Sequence, residues 1–211
     1  QSPGTIIIVL ALVTVVLCTA TVFSTSMIYA SLKPIPQWCR GDVPYGYLTL
    51  SFASGALLLN AVAALAGSAI DVVSVFALVG LVLAYAVKAR YWRAIRAAAP
   101  VATAASAVGL EKGARVRSLD PPHTEPNYLQ KEMGYRVARK HADKLRRIAY
   151  VVGLGVPVLA LLVGLGLSGP LLTALAVIAA VSAHLGIVIE RWLFFAEATH
   201  TVTLYYGAES V

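Results

Sequence analysis

The densest cluster of chemically able side chains is Glu190-Arg191-Trp192-Leu193-Phe194-Phe195-Ala196-Glu197-Ala198-Thr199-His200. On a continuous helix Glu190, Phe194 and Glu197 share one face, and Glu197 and His200 are three residues apart. Ionisable groups at membrane depth are costly and mark functional sites. Carboxylates and an imidazole beside aromatic rings can hydrogen-bond a quinone carbonyl and exchange protons with it. Glu190, Arg191, Glu197, His200 and the preceding His184 are therefore the candidates for quinone binding or proton exchange. Plainer readings stand beside this one. Arg191 and Trp192 can simply anchor a span end at the interface, and His184 can be a hydrogen-bonded packing residue. Asn60 and Asp71 are lesser candidates, Asp71 as a helix cap.

Other chemistries are excluded. Two haems across a membrane need four buried axial ligands. Of the four histidines only His184 lies well inside an apolar stretch, and His123 and His141 fall in a basic segment. Cys18 and Cys39 form no C-x-x-C or zinc spacing, so no metal site is expected. Cys18 joins Thr14, Thr21 and Thr25 in a small, weakly polar stripe suited to helix packing. Gly164-Leu-Gly-Leu-Ser-Gly169 matches G-x-G-x-x-G, but it ends an apolar run and has no strand before it.

The elements that must position these groups are membrane helices. The chain has 211 residues, 59% hydrophobic and 13% charged. A soluble domain is about 25% charged, which excludes disorder, a disulfide scaffold and an ordinary soluble enzyme. Runs of about 20 apolar residues cross the hydrocarbon core as helices. Five occur, at 6–30, 45–67, 69–87, 148–167 and 171–189. The expected fold is an all-α polytopic transmembrane bundle. It divides into three spans over 1–87, a basic loop over 88–147, and two spans with a C-terminal extension over 148–211.

The net charge of +7 is unevenly placed. Residues 88–147 hold 14 of the 17 Lys and Arg and 5 of the 10 acids, leaving the loop at +9 and the rest at −2. Basic loops stay in the cytoplasm. That rule puts the loop, Lys33, Arg40 and the C-terminus inside, and both tight hairpins outside. The first residues enter a span at once with no charged lead-in, which is not a signal peptide. A preceding part of the natural protein is expected, and with it an intact mass above 22.2 kDa.

Within the loop, residues 88–96 read as a basic continuation of the third span, with Tyr85, Tyr91 and Trp92 as interfacial aromatics. A Pro-rich segment over 118–127 follows, and Asn127 with Gln130 reads as a helix start. The helix it opens carries Arg136, Arg139 and Lys140. With His123 and Tyr128 these form the expected docking surface for a soluble partner. Retention by anionic lipid is the plainer alternative. Nucleic acid is not an expected partner.

Three stretches carry a family resemblance. They are Thr25-Ser-Met-Ile-Tyr-Ala-Ser-Leu-Lys-Pro-Ile-Pro-Gln-Trp38, then Pro121-Pro-His-Thr-Glu-Pro-Asn-Tyr-Leu-Gln-Lys-Glu-Met-Gly134 with the Arg-Val-Ala-Arg-Lys-His-Ala that follows, and residues 190–200. Together they resemble the membrane-anchor subunits of the dimethyl sulfoxide reductase type, especially the branch serving cytoplasmic sulfite dehydrogenase (sulfite:quinone oxidoreductase). The resemblance implies a haem-free quinone-binding anchor in the bacterial inner membrane. It implies a molybdopterin catalytic subunit and a four-cluster iron–sulfur subunit as partners, which carry those cofactors. It implies eight spans, of which these are the last five. The family's best-supported quinone residues fall in the first three, so none transfers to a position here. An oxo-compound reductase anchor working from quinol is the alternative within the family. A transporter or scaffold subunit is the alternative outside it.

Overall fold

The computed structural model describes residues 3–69, 71–111, 114–117, 119–120, 125 and 135–211. His123, Tyr128 and the Asn127 helix start lie outside the described residues. Among the described residues every long element is a helix. Five helices are long and apolar enough to span a membrane: Gly4–Ala30, Asp42–Leu65, Asp71–Ala97, Ala142–Gly164 and Gly169–Ala196. They alternate in direction. The hairpins at 66–69 and 165–168 therefore share one end of the bundle. The first loop, residues 98–110, residues 135–141 and the C-terminal segment share the other, here called the basic end.

Three helices run further than the apolar runs suggest. The third continues past Val87 to Ala97, the fourth starts at Ala142, and the fifth continues past Ile189 to Ala196. Hydropathy alone ended the runs at the first charged residue. Backbone hydrogen bonding has no such rule, and partnered charges continue the helix.

Small residues set the packing, as they must where lipid is as apolar as leucine. Gly80 faces Ala53 between the second and third spans, and Ser74 donates to Asn60 Oδ1 at 2.8 Å near the hairpin end. Gly153 meets Gly186 where the fourth and fifth spans cross, beside the buried Tyr85 hydroxyl. The first span packs mainly near the basic end, through Ser26 and Tyr29. The Thr14, Cys18, Thr21 and Thr25 stripe is exposed, and its threonine hydroxyls bond back to carbonyls four residues earlier at 2.8 Å.

The fourth span contains one wide turn, Val151–Gly155, directly before Pro157. Proline has no N–H and its ring clashes with the preceding turn. Widening to i→i−5 spacing relieves the clash and frees the Val152 carbonyl. Ser182 of the fifth span donates its hydroxyl to that carbonyl at 2.6 Å. A backbone defect in one helix thereby becomes a tie between two.

Candidate functional site

The third and fifth spans meet at a buried ion cluster. Leu81, Ala84, Tyr85, Lys88, Tyr91 and Trp92 lie on the buried side of the third span. The same spacing on the fifth span aligns Ala183, Gly186, Glu190, Leu193 and Phe194. Lys88 is 2% exposed and Glu190 0%, and they form an ion pair. Arg191 holds the same carboxylate with Nε on Oε2 at 2.5 Å and Nη2 on Oε1 at 2.8 Å. Nine residues separate Lys88 from the end of its helix at Ala97, roughly 13 Å along the axis.

Aromatic rings enclose the cations. Lys88 Nζ lies 3.8 Å from the Tyr91 ring centroid and 5.1 Å from that of Trp92. The Arg191 guanidinium is 4.5 Å from Tyr47 and 4.8 Å from Phe194. Such cation–π contacts are worth about 2 kcal/mol when desolvated. The basic loop end was expected to carry Tyr85, Tyr91 and Trp92 at the interface. All three are instead at most 2% exposed and face the bundle. Lys88, expected in the solvated loop, is their buried neighbour. Its placement four and seven residues after Ala84 and Leu81 was the signal that could have found it.

A second tie lies one level out. Glu197, just beyond the fifth span, pairs with Arg146 of the fourth. Arg146 also reaches Asp143 at 3.0 Å, and Asp143 lies 3.7 Å from Arg96. Burial, only partly offset by Arg146, holds the Glu197 carboxyl above the usual carboxylate range. Arg139 donates Nε to the Ala196 carbonyl at 2.8 Å and Nη2 to that of Ala198 at 2.7 Å, closing the end of the fifth helix. The first loop closes it from the other side. Gln37 exchanges two bonds with Thr199, at 2.7 and 3.0 Å, and Trp38 Nε1 donates to the Phe194 carbonyl at 2.9 Å.

The predicted residues therefore separate. Glu190 and Arg191 come together, with Lys88 added. Glu197 belongs to the outer tie. His200 does not continue the helix, which ends at Ala196. It is exposed, and its Nδ1 accepts from Val202 N at 2.9 Å to open a short 3-10 turn. His184 is half-buried and bonded at 2.7 Å to the Ala180 carbonyl of its own helix. Of the predicted docking residues, Arg139 caps the fifth helix, Lys140 is exposed, and Arg136 begins a short helix, Arg136–Lys140.

The Arg139→Ala variant should cost about 1 kcal/mol, because two helix-end carbonyls lose a charged donor at a partly solvated site. Amide exchange localised to residues 196–201 checks this. A uniform change across the fifth span would contradict it.

The space beside the cluster is small. A cavity of about 10 Å³ lies among Asp42, Gly46, Lys88, Tyr91, Arg191 and Phe194. That is room for about one water. It does not fit a quinone ring. A larger cavity of about 160 Å³ lies between the first loop and residues 98–101, with Gln37 and Arg40 among its walls and none of the predicted quinone residues.

Among known proteins, the family described as DMSO reductase anchor subunit (DmsC) matches residues 3–207. A sulfite dehydrogenase subunit from Allochromatium vinosum is 28% identical over 184 residues, which cover 86% of this chain and 55% of that protein. The chain thus spans about half the length of the curated relative it matches. No solved structure matches it.

Proposed function

Because this chain belongs to the DMSO reductase anchor subunit family, we propose that it anchors a molybdopterin and iron–sulfur oxidoreductase at the cytoplasmic face of the bacterial inner membrane and couples it to quinone. The observation that carries this reading is the family match over residues 3–207. The bundle supports it. Its ionisable side chains are concentrated at one end, which the positive-inside rule turns toward the cytoplasm.

The similarity to a sulfite dehydrogenase subunit favours sulfite as the substrate of the complex. The overall reaction is then sulfite plus water plus quinone giving sulfate plus quinol. The bound quinone would supply a two-electron, two-proton acceptor. The cavity beside Lys88 has room for about one water, so no quinone ring is placed there and no step is routed through these residues. What they do is mechanical and electrostatic. Lys88, Glu190 and Arg191 lock the third span to the fifth, and Arg139, Arg146 and Gln37 fix the end of the fifth. That rigid end is where an iron–sulfur subunit seats, against the basic segment that carries Lys140.

Deleting the chain from its host tests this. Sulfite-dependent quinone reduction by membranes should fall to background. Sulfite oxidation with a soluble artificial acceptor should persist and move to the soluble fraction. Unchanged quinone reduction by membranes lacking the chain would overturn the proposal.

A further inference from the structure

Three spans meet around the small cavity beside the ion cluster. Asp42 and Gly46 of the second, Lys88 and Tyr91 of the third, and Arg191 and Phe194 of the fifth line it. Five of these residues are buried, and the Arg191 side chain is 23% exposed.

Two features of the wall point to an occupant. The first is a donor. Arg191 places Nε and Nη2 on Glu190, while its Nη1 is buried and has no partner among the described residues. A buried N–H that has left water without finding another acceptor is strongly disfavoured. The second is a gap. Gly46 is buried, yet a Cβ built on it would meet nothing within 4 Å. Gly80, Gly153, Gly164 and Gly186, which face other spans, each have a neighbour within that distance. Gly46 therefore keeps room open where a methyl group would fit.

The charges around the gap select its chemistry. Arg191 and Lys88 bring N–H donors, and an ammonium has three of them. Asp42 brings a carboxylate whose two oxygens accept from Arg40 Nε at 3.0 Å and Nη2 at 3.2 Å, which leaves each oxygen a further lone pair. An anion would suit the donors and be repelled by Asp42. A metal cation would suit Asp42 and be repelled by Lys88 and Arg191. A neutral molecule that accepts on one side and donates on the other suits both, and about 10 Å³ holds about one water.

We propose that this cavity is the site of one internal water, which accepts from Arg191 Nη1 and Lys88 Nζ and donates to the Asp42 carboxylate. Those partners match the two to four hydrogen bonds that buried waters make. The water brings the second span into the lock between the third and fifth. Arg40, whose side chain is 28% exposed, holds Asp42. The water joins Asp42 to Arg191, and Arg191 holds Glu190. One bonded line then runs from the basic end of the bundle to its buried carboxylate.

The test uses the full membrane complex in detergent and a short X-ray pulse, which turns water into hydroxyl radicals. Mass spectrometry then reads the modified side chains. A buried ring reacts when a bound water lies against it. Tyr91 and Phe194 should be modified, whereas Tyr85, which is equally buried and lies outside the cavity wall, should not. Gly46→Ala sets a methyl group in the water's place and should abolish that modification. Gly55→Ala is the control, an exposed glycine of the same helix whose Cβ also meets nothing. It should keep the modification and raise the unfolding temperature, because alanine favours helix. Gly46→Ala shares that gain but strands Arg191 Nη1, so it should unfold about 2–4 °C below Gly55→Ala. Filling a dry cavity would stabilise instead, so a Gly46→Ala protein at least as stable as Gly55→Ala overturns the proposal. Wild type in which Tyr91 and Phe194 react no faster than Tyr85 also overturns it, whether or not the variant folds. Modification that survives Gly46→Ala does the same, since solvent then reaches the rings by another route.

Discussion

Glu190→Gln should destabilise the bundle by about 3–5 kcal/mol, the cost of breaking a buried ion pair from one side. Glu190 is fully buried and is the carboxylate that Lys88 and Arg191 share. The amide leaves the Lys88 ammonium without a counter-charge in a wall of rings. Arg191 suffers less, because its side chain is 23% exposed and keeps the Tyr47 and Phe194 rings. Removing both buried charges tells attraction from burial. Lys88→Met/Glu190→Leu should recover most of the loss, since apolar replacements of a buried pair are often neutral or better. Thermal unfolding of wild type and the two variants in one detergent measures both effects. A single Glu190→Gln loss below about 1 kcal/mol would show that the pair contributes little.

The second large effect is steric. A Cβ added at Gly186 falls on the backbone of Gly153, and one added at Gly153 falls first on the Tyr85 hydroxyl. Overpacking costs about 1–3 kcal/mol, and more where backbone must move. Both Gly153→Ala and Gly186→Ala should therefore destabilise, Gly186→Ala the more. Tyr85→Phe separates them. It deletes the obstructing atom, and that hydroxyl is buried without a partner among the described residues. The change alone should be neutral or slightly stabilising. It should relieve Gly153→Ala in part and leave Gly186→Ala unrelieved, because there the obstacle is main chain. Equal relief of both would mean that the helices cross elsewhere.

The five spans were legible because each is an unbroken apolar run, and the gathering of basic residues at one end followed from counting charges along the chain. The ends of the spans were legible only in part: the continuation of the third over residues 88–96 was read, and that helix runs to Ala97. A charged residue stops an apolar run but not a helix when its partner waits on a neighbouring element. Lys88 was assigned to the loop for that reason, although its spacing from Leu81 and Ala84 marked it as buried. Glu190 and Arg191 were visible as chemistry, yet their partner came from a residue 102 positions earlier, as the Lys88–Glu190 pair shows. The grouping of His200 with Glu197 assumed a helix that ends at Ala196, where Arg139 and Gln37 take over the free carbonyl and amide groups. The wide turn before Pro157 had a sequence signal in the proline itself. The choice of Ser182 as the donor that exploits it depends on how two spans cross, which one helix cannot disclose.

Affinity isolation of the chain from native membranes in mild detergent, with its companions identified by mass spectrometry, decides whether it is the membrane anchor of a molybdenum-dependent oxidoreductase. A molybdopterin-binding catalytic subunit and an iron–sulfur subunit should accompany it in stoichiometric amounts. Both should be released at high salt, which weakens the contacts of the basic end. Recovery of the chain alone, or with membrane companions that bind no molybdenum or iron–sulfur cluster, would contradict that role.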